Sequence, residues 1–266
     1  MEVQKINSLQ NPLIKEYKKL LAGSRQRKKL GKIALEGPNL VQEALDAGLT
    51  PEAVFYTQNY YESEGEVLVS RLSPATKKIV LAEYLFNQLA ETKTPRGVAA
   101  ILPFKPDLFP ARQPGQAKLV IILDCLQDPG NMGTIIRTAA AAGVDSIFYT
   151  SGSVDPYSPK VLRSTAGLIF QVPVIPLDDP VFMLGELKQK EFKIAAASRD
   201  GQNLWQIDYG YKTALIIGNE ADGISEELLE NSDLKVAIPL EESVDSLNAA
   251  TAAAIITYEI CRRRIT

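Results

Sequence analysis

The turn that follows residue 123 combines the residue types in this chain that are best suited to chemistry. A short apolar strand, residues 118–123, leads into it, and a helix rich in alanine follows. The turn and helix hold a carboxyl, an amide, two glycines and a guanidinium: Asp128, Asn131, Gly130, Gly133 and Arg137. Open α/β sheets bind ligands at the carboxyl ends of their strands, so this segment predicts a ligand site.

Two later segments repeat this pattern of a strand followed by polar and small residues. In TALIIGNEADGISEELL (213–229) a strand ends at Gly218, and Asn219, Glu220 and Gly223 fill the turn before Ser225, a candidate helix cap. In residues 236–260 a strand ends at Ile238, and Ser246-Leu247-Asn248 opens a small-residue helix. Each residue alone fits a turn or a cap. Three such loops in one domain predict a shared site.

Composition excludes several classes of protein and of site. Cys125 and Cys261 lie far apart in the 266 residues and there is no histidine, so we expect no metal site and no disulfide framework. We also expect no membrane span, because there is no run of 18 apolar residues, and no signal peptide. Together these features indicate a reducing cytoplasm.

The net charge of −3 is unevenly distributed. Residues 1–35 carry nine Lys or Arg against Glu2 and Glu16, a charge of +7 that leaves −10 for the remainder. A basic arm on an acidic body suggests contact with nucleic acid phosphates. The alternative is a solvated, lysine-rich amphipathic helix.

The pattern of apolar residues predicts two α/β domains. Residues 1–30 form a basic helical arm, with an apolar stripe at Leu13, Ile14, Tyr17, Leu20 and Leu21. Residues 31–102 alternate strands and helices, although residues 66–72 fit either. Residues 103–116, with four prolines and no period, are the expected linker.

The second domain is expected over residues 117–266. Its pattern predicts strands at 118–123, 145–149, 170–175, 192–197, 213–217 and 235–239. Helices are expected at 132–142, 158–166, 180–190 and 246–264. Strands separated by helices predict a mostly parallel sheet covered on both faces.

The order N-x-G-x-x-x-R, G-N-E-x-x-G-I and I-P-x(7)-S-L-N-A resembles the SpoU (TrmH) family of RNA 2′-O-ribose methyltransferases, within the SPOUT superfamily. The first domain, with LEGPNLVQEAL and T-K-T-P-R-G-V-A-A-I, is similar to that family's ribosomal-protein-like substrate-binding domain. The resemblance implies a deep trefoil knot, S-adenosylmethionine as cofactor and a homodimer. It also implies that backbone groups around Gly218, Asn219, Ile238 and Leu247 hold the cofactor.

The resemblance further implies that Arg137 is essential, and that Asn131, Glu220, Ser246 and Asn248 complete the catalytic pocket. A guanidinium, with a pKa above about 12, is a poor base. We therefore expect Arg137 to clamp the adjacent phosphate, with the phosphate or a depressed Arg137 accepting the proton. Three roles are open for Glu220: it positions the substrate, pairs with an arginine, or braces its own loop.

Several further residues are weaker candidates for substrate contact. Arg163 would touch a phosphate, and Ser164 and Thr165 would line the substrate side. Tyr60 and Tyr61 either stack on an unpaired base or pack within the protein.

The resemblance favours rRNA, with the large subunit preferred, over tRNA, and leaves open self-resistance to an antibiotic. Two rivals remain: an RNA-binding module without catalysis, and a Rossmann-type oxidoreductase. The oxidoreductase fits poorly, because only Gly130 and Gly133 of the three glycines in G-x-G-x-x-G are present.

Overall fold

The computed structural model describes residues 3–104 and 117–265 and forms two compact units. The N-terminal unit comprises Met1–Leu108 and Tyr157–Phe170, and the C-terminal unit comprises Phe109–Pro156 and Gln171–Thr266. Residues 157–170, expected within the second domain, thus lie with the N-terminal unit. One reason is aromatic packing, because the rings of Phe104 and Tyr157 have centroids 4.3 Å apart. Of the expected linker, residues 105–116 lie outside the described residues.

The N-terminal unit is built on a five-stranded mixed sheet. Its strands are β1 (Gln4–Ile6), β2 (Lys32–Glu36), β3 (Ala53–Thr57), β4 (Lys77–Leu81) and β5 (Val98–Pro103). The order is β1-β4-β3-β5-β2, in which β5 runs antiparallel to β3 and β2 and the other neighbours are parallel. The sequence predicts no strand at β1, because three residues are too few to show a period.

Helices α1 (Pro12–Ala22) and α2 (Ser24–Leu30) form the basic arm, and α1 buries the predicted stripe against the sheet. Next come α3 (Pro38–Asp46), α4 (Gln58–Tyr60), a π-helical turn (Tyr61–Gly65), α5 (Glu66–Ser70) and α6 (Glu83–Leu89). The ambiguous segment 66–72 is therefore largely helical. A helix at Pro159–Ser164, α8 in chain order, also belongs to this unit.

The C-terminal unit contains the predicted parallel sheet. Its strands are β6 (Leu119–Leu123), β7 (Ser146–Thr150), β8 (Val174–Leu177), β9 (Lys193–Asn203), β10 (Thr213–Ile217) and β11 (Leu234–Ala237). The order is β11-β9-β10-β6-β7-β8, and every pair of neighbours is parallel. The central strands β6 and β10 are buried throughout, as strands covered on both faces must be. The expected α/β class is confirmed, and the knot stays a prediction.

Among the described residues, four helices complete this unit: α7 (Pro129–Ala141), α9 (Pro180–Gln189), α10 (Glu226–Glu230) and α11 (Ala249–Ile265). Helices α9 and α10 cover a core that includes Leu184, Leu187 and Leu228. In a parallel sheet the carboxyl ends of the strands share one edge, so the loops after β6 and β10 emerge side by side. No helix among the described residues is long and apolar enough to cross a membrane.

Candidate active site

A chain of two hydrogen bonds joins the three loops that the sequence singled out. The Asn131 amide nitrogen donates to Glu220 Oε1 at 2.6 Å, and the Asn248 amide nitrogen donates to Asn131 Oδ1 at 2.8 Å. Asn131 is buried, whereas Glu220 and Asn248 are exposed. One buried amide therefore holds the loop after β10 to the start of α11, by using both its donor and its acceptor.

The start of α7 fixes Asn131 in this position. Asp128 caps the helix, with Oδ1 accepting from the Asn131 backbone N–H at 2.8 Å. Pro129 occupies the first helical turn, where its missing N–H removes no intrahelical bond. Asn248 is held in the same manner, because its Oδ1 accepts from the N–H groups of Ala250 and Thr251 at the start of α11.

The loop after β10 is closed by its own backbone. Asn219 and Gly223 exchange N–H···O bonds of 2.8 and 3.0 Å, and the Asn219 side chain donates to the Cys125 carbonyl at 2.9 Å. Gly218 lies so close to the backbone at the far end of this loop that an added Cβ would be 2.2 Å from the Gly223 carbonyl carbon. The glycine at position 218 is thus required by backbone contact.

Asp124 is a buried residue of this edge that the sequence reading missed. Its Oδ2 accepts from the Ser225 backbone N–H at 2.8 Å, and its Oδ1 accepts from the Thr150 hydroxyl at 3.0 Å. It thereby connects the ends of β6 and β7 with the start of α10. Ser225 does occupy the predicted cap position, but its side chain makes no capping bond. The sequence signal that could have identified Asp124 is an acidic residue placed directly after an apolar strand.

A cavity of about 660 Å³ opens beside this network within the C-terminal unit. Its lining includes seven of the nine residues predicted for the site: Gly218, Asn219, Glu220, Ile238, Ser246, Leu247 and Asn248. Its volume lies within the roughly 300–1,000 Å³ of small-molecule sites. Three carboxylates also line it, those of Asp200, Glu220 and Asp222. Because Arg199 is the cation of this lining, the charged groups are net acidic and would favour a ligand of positive charge.

Arg137 and Asn131 are not among the residues that line this cavity. Arg137 lies on α7, about two helical turns beyond Asn131, and is exposed. Its guanidinium makes no hydrogen bond or ion pair with any residue in the two described ranges. Glu220 bonds Asn131 instead of an arginine, which favours its positioning or loop-bracing role. The guanidinium is therefore available to a ligand.

The weaker candidates occupy other environments. Arg163 pairs with Glu91 at 2.7 Å, Thr165 is fully buried, and the Ser164 hydroxyl donates to the Lys160 carbonyl. Tyr60 is only 5% exposed. Its ring packs inside the N-terminal unit, so of the two alternatives for Tyr60 the structure favours packing within the protein.

Within the described ranges, no group of three or more acidic, cysteine or histidine side chains could hold a metal ion.

Comparison with known proteins identifies the class. Residues 118–258 match the SpoU rRNA Methylase family, and residues 11–100 match the MRM3-like substrate binding domain. The chain therefore belongs to the SpoU rRNA methylase family. The sequence-based expectation of a methyltransferase with a family substrate-binding domain is confirmed.

Individual relatives extend over nearly the whole chain. An uncharacterized tRNA/rRNA methyltransferase of Synechocystis is 37% identical over 99% of this chain and 95% of its own length. The 23S rRNA (guanosine(2553)-2′-O)-methyltransferase RlmP of Bacillus subtilis is 34% identical, covering 97% and 99%. The crystal structure of the SpoU methyltransferase AviRb from Streptomyces viridochromogenes in complex with AdoMet is 28% identical. It has a TM-score of 0.85 and covers 97% of this chain and 99% of that chain. The expected cofactor, S-adenosylmethionine, is thus confirmed for the family.

Proposed function

We propose that this protein methylates a ribose 2′-hydroxyl of large-subunit rRNA, with S-adenosylmethionine as the methyl donor. The observation that carries the proposal is the Glu220–Asn131–Asn248 chain, which joins all three motif loops beside a cavity of cofactor size. Family membership and the 23S rRNA activity named for the Bacillus relative support the substrate class.

The cavity would hold the cofactor through groups of the C-terminal unit. Backbone groups around Gly218, Asn219, Ile238 and Leu247 would bind its nucleoside part, and the lining carboxylates would favour its positive charge. When bound, the cofactor supplies a methyl group on an electrophilic sulfonium. The protein then has mainly to exclude water, orient the hydroxyl and accept its proton.

Arg137 would orient the RNA. Its exposed guanidinium presents a planar fork that matches two oxygens of a phosphate. Clamping the phosphate next to the target ribose fixes the 2′-hydroxyl, and a phosphate oxygen accepts the hydroxyl proton. The Asn131–Glu220 bond keeps the two motif loops at a constant separation during this step. Ser246 and Asn248 lie on the cavity lining, where they would contact the ribose.

The decisive experiment is methyl transfer from labelled S-adenosylmethionine to unmodified total RNA by the wild type, Arg137→Ala and Arg137→Lys. We expect label in large-subunit rRNA, within an alkali-resistant dinucleotide, and little or none with either variant. Arg137→Lys keeps the charge and loses the fork, so full activity of that variant would refute the clamp.

A matched control separates chemistry from cofactor binding. Because Arg137 does not line the cavity, both variants should bind S-adenosylmethionine with the wild-type affinity in calorimetry. Label in a base, or in tRNA alone, would contradict the proposed reaction or substrate.

We also propose a homodimer and a cytoplasmic location, both supported by family membership and, for the location, by the cysteine usage of the chain. Light scattering during size-exclusion chromatography should give about twice the mass of 29.1 kDa. A monomer at micromolar concentration would contradict the dimer.

A further inference from the structure

A buried carboxylate organises one loop of the N-terminal unit. Glu36, at the end of β2, is 8% exposed and accepts three hydrogen bonds from the loop between α6 and β5. The donors are the backbone N–H groups of Glu91 at 2.7 Å and Thr92 at 3.1 Å, and the Thr92 hydroxyl. Burying a carboxylate is costly unless it is hydrogen-bonded, so these bonds fix the start of the loop.

The other end of the 91–97 loop is fixed independently. Gly97 has φ +73°, and an added Cβ would lie 2.7 Å from Thr57 Oγ1 and 2.8 Å from Tyr60 Cβ. Arg96 pairs with both carboxylate oxygens of Glu64, at 2.8 and 3.0 Å. The loop is therefore held at both ends by contacts that a solvated connection would not need.

Lys93 lies between these two anchors and is exposed. Arg96 and Arg163, the neighbouring cations, are engaged with Glu64 and Glu91 respectively. Lys93, by contrast, makes no ion pair or hydrogen bond with any residue for which the structure gives a position. A rigid loop that presents one uncompensated cation has the form of a phosphate-binding element.

We propose that the 91–97 loop is an RNA phosphate-binding site in which Lys93 makes the contact and Glu36 acts as a positioning residue. The inference rests on the proposed function, since it takes RNA as the partner. Glu36 does not touch RNA. It fixes the loop, so that Lys93 loses little conformational freedom on binding.

A second exposed lysine of the same sheet, Lys77, serves as a matched control for Lys93. Glu36 pairs with Ala99 near the start of β5, so the loop lies at that edge of the sheet. Lys77 begins β4 and pairs with Ala53 in β3, at the opposite ends of these strands. It is likewise an exposed lysine, 3.8 Å from Glu52. Lys77→Ala thus removes the same charge at the opposite end of the strands from the 91–97 loop.

The test measures the affinity of the full chain for an unmodified 23S rRNA transcript over a series of salt concentrations. Lys93→Ala should lower the affinity about fivefold at 0.1 M salt and reduce the slope of log K against log salt by about 0.7–0.9. Lys77→Ala should leave the slope unchanged. Equal slopes for the wild type and Lys93→Ala would overturn the inference.

Glu36→Gln tests the positioning role. The glutamine amide keeps one acceptor oxygen and has a donor in place of the other, so it cannot accept from both Glu91 and Thr92, and the affinity should fall although Lys93 is intact. In the double variant with Lys93→Ala the losses should not add, because both act through one contact. Additive losses would overturn the role of Glu36. If Glu36→Gln does not fold, the result for Lys93→Ala still decides the binding site.

Methyl transfer to the same transcript separates this inference from the proposed function. If the wild type methylates the RNA but Lys93→Ala binds normally, only the loop inference fails. If the wild type transfers no methyl group and Lys93→Ala still loses affinity and slope, the loop inference stands and the proposed function fails. If the wild type does not bind the transcript, both are wrong.

Discussion

The hydrogen bond from Asn131 to Glu220 can be removed in one variant and rebuilt in the opposite direction in a second. The pair of variants tests whether this bond holds the motif loops together. In Asn131→Asp, an oxygen replaces the nitrogen that donates to Glu220 Oε1 across 2.6 Å. The variant loses a hydrogen bond to a charged group, about 1.5–3 kcal/mol. It also gains a carboxylate pair, which we discount to about 1 kcal/mol because Glu220 is exposed. The free energy of unfolding should therefore fall by about 2.5–4 kcal/mol.

The second variant restores the bond in the opposite direction. In Asn131→Asp/Glu220→Gln, the glutamine amide can donate to the new carboxylate, so about 1.5–3 kcal/mol should return. Urea unfolding at pH 7 measures both variants.

Asn87→Asp provides the matched control, because it makes the same chemical change at an exposed position of α6 and should alter stability by less than about 0.5 kcal/mol. A double variant no more stable than Asn131→Asp would refute the reasoning. In that case the Asn131–Glu220 contact does not hold the loops, and the central observation of the proposed function loses its meaning.

Two further predictions concern the C-terminal unit. Gly218→Ala should weaken S-adenosylmethionine binding at least tenfold in calorimetry, about 1.4 kcal/mol, because a Cβ would meet backbone at 2.2 Å. Gly185→Ala, with no heavy atom within 4 Å of its added Cβ, is the control, and equal affinities for both variants would contradict the prediction. The bonds from Arg262, and then Arg263, hold the pKa of the Glu259 carboxyl below its usual 4.5. Stability from Glu259 should thus be present above pH about 4.5 and lost as the pH falls through the lowered pKa, and Glu259→Gln should flatten this acid dependence. An unchanged acid profile of unfolding would exclude the pair as its source.

Long and strongly patterned elements followed from local sequence. Strand β10 has the bounds expected at 213–217, because an apolar run between turn residues admits few other conformations. Short elements could not be predicted from the local sequence. Strand β1 exists only through its pairing with β4, and the segment at 66–72 became helical by packing that no local pattern specified.

The candidate site shows the same division. The types and order of Asn131, Glu220 and Asn248 indicated a methyltransferase site, because their motifs resemble those of the SpoU family. The sequence did not predict which of their atoms form hydrogen bonds with each other, because the donors and acceptors lie 89 and 117 residues apart in the chain. Asp124 was missed for the same reason, because its partner Ser225 is 101 residues away.

The sequence by itself determined the α/β class, the order of the main elements, the family and the residue types available for chemistry. Those depend on periodicity and on motifs, which are local properties of the chain. Only the tertiary structure decided that residues 157–170 lie with the N-terminal unit, that Tyr60 is buried, and that Glu36 holds the 91–97 loop. These depend on burial and hydrogen bonds between distant residues, which only the folded chain brings within bonding distance.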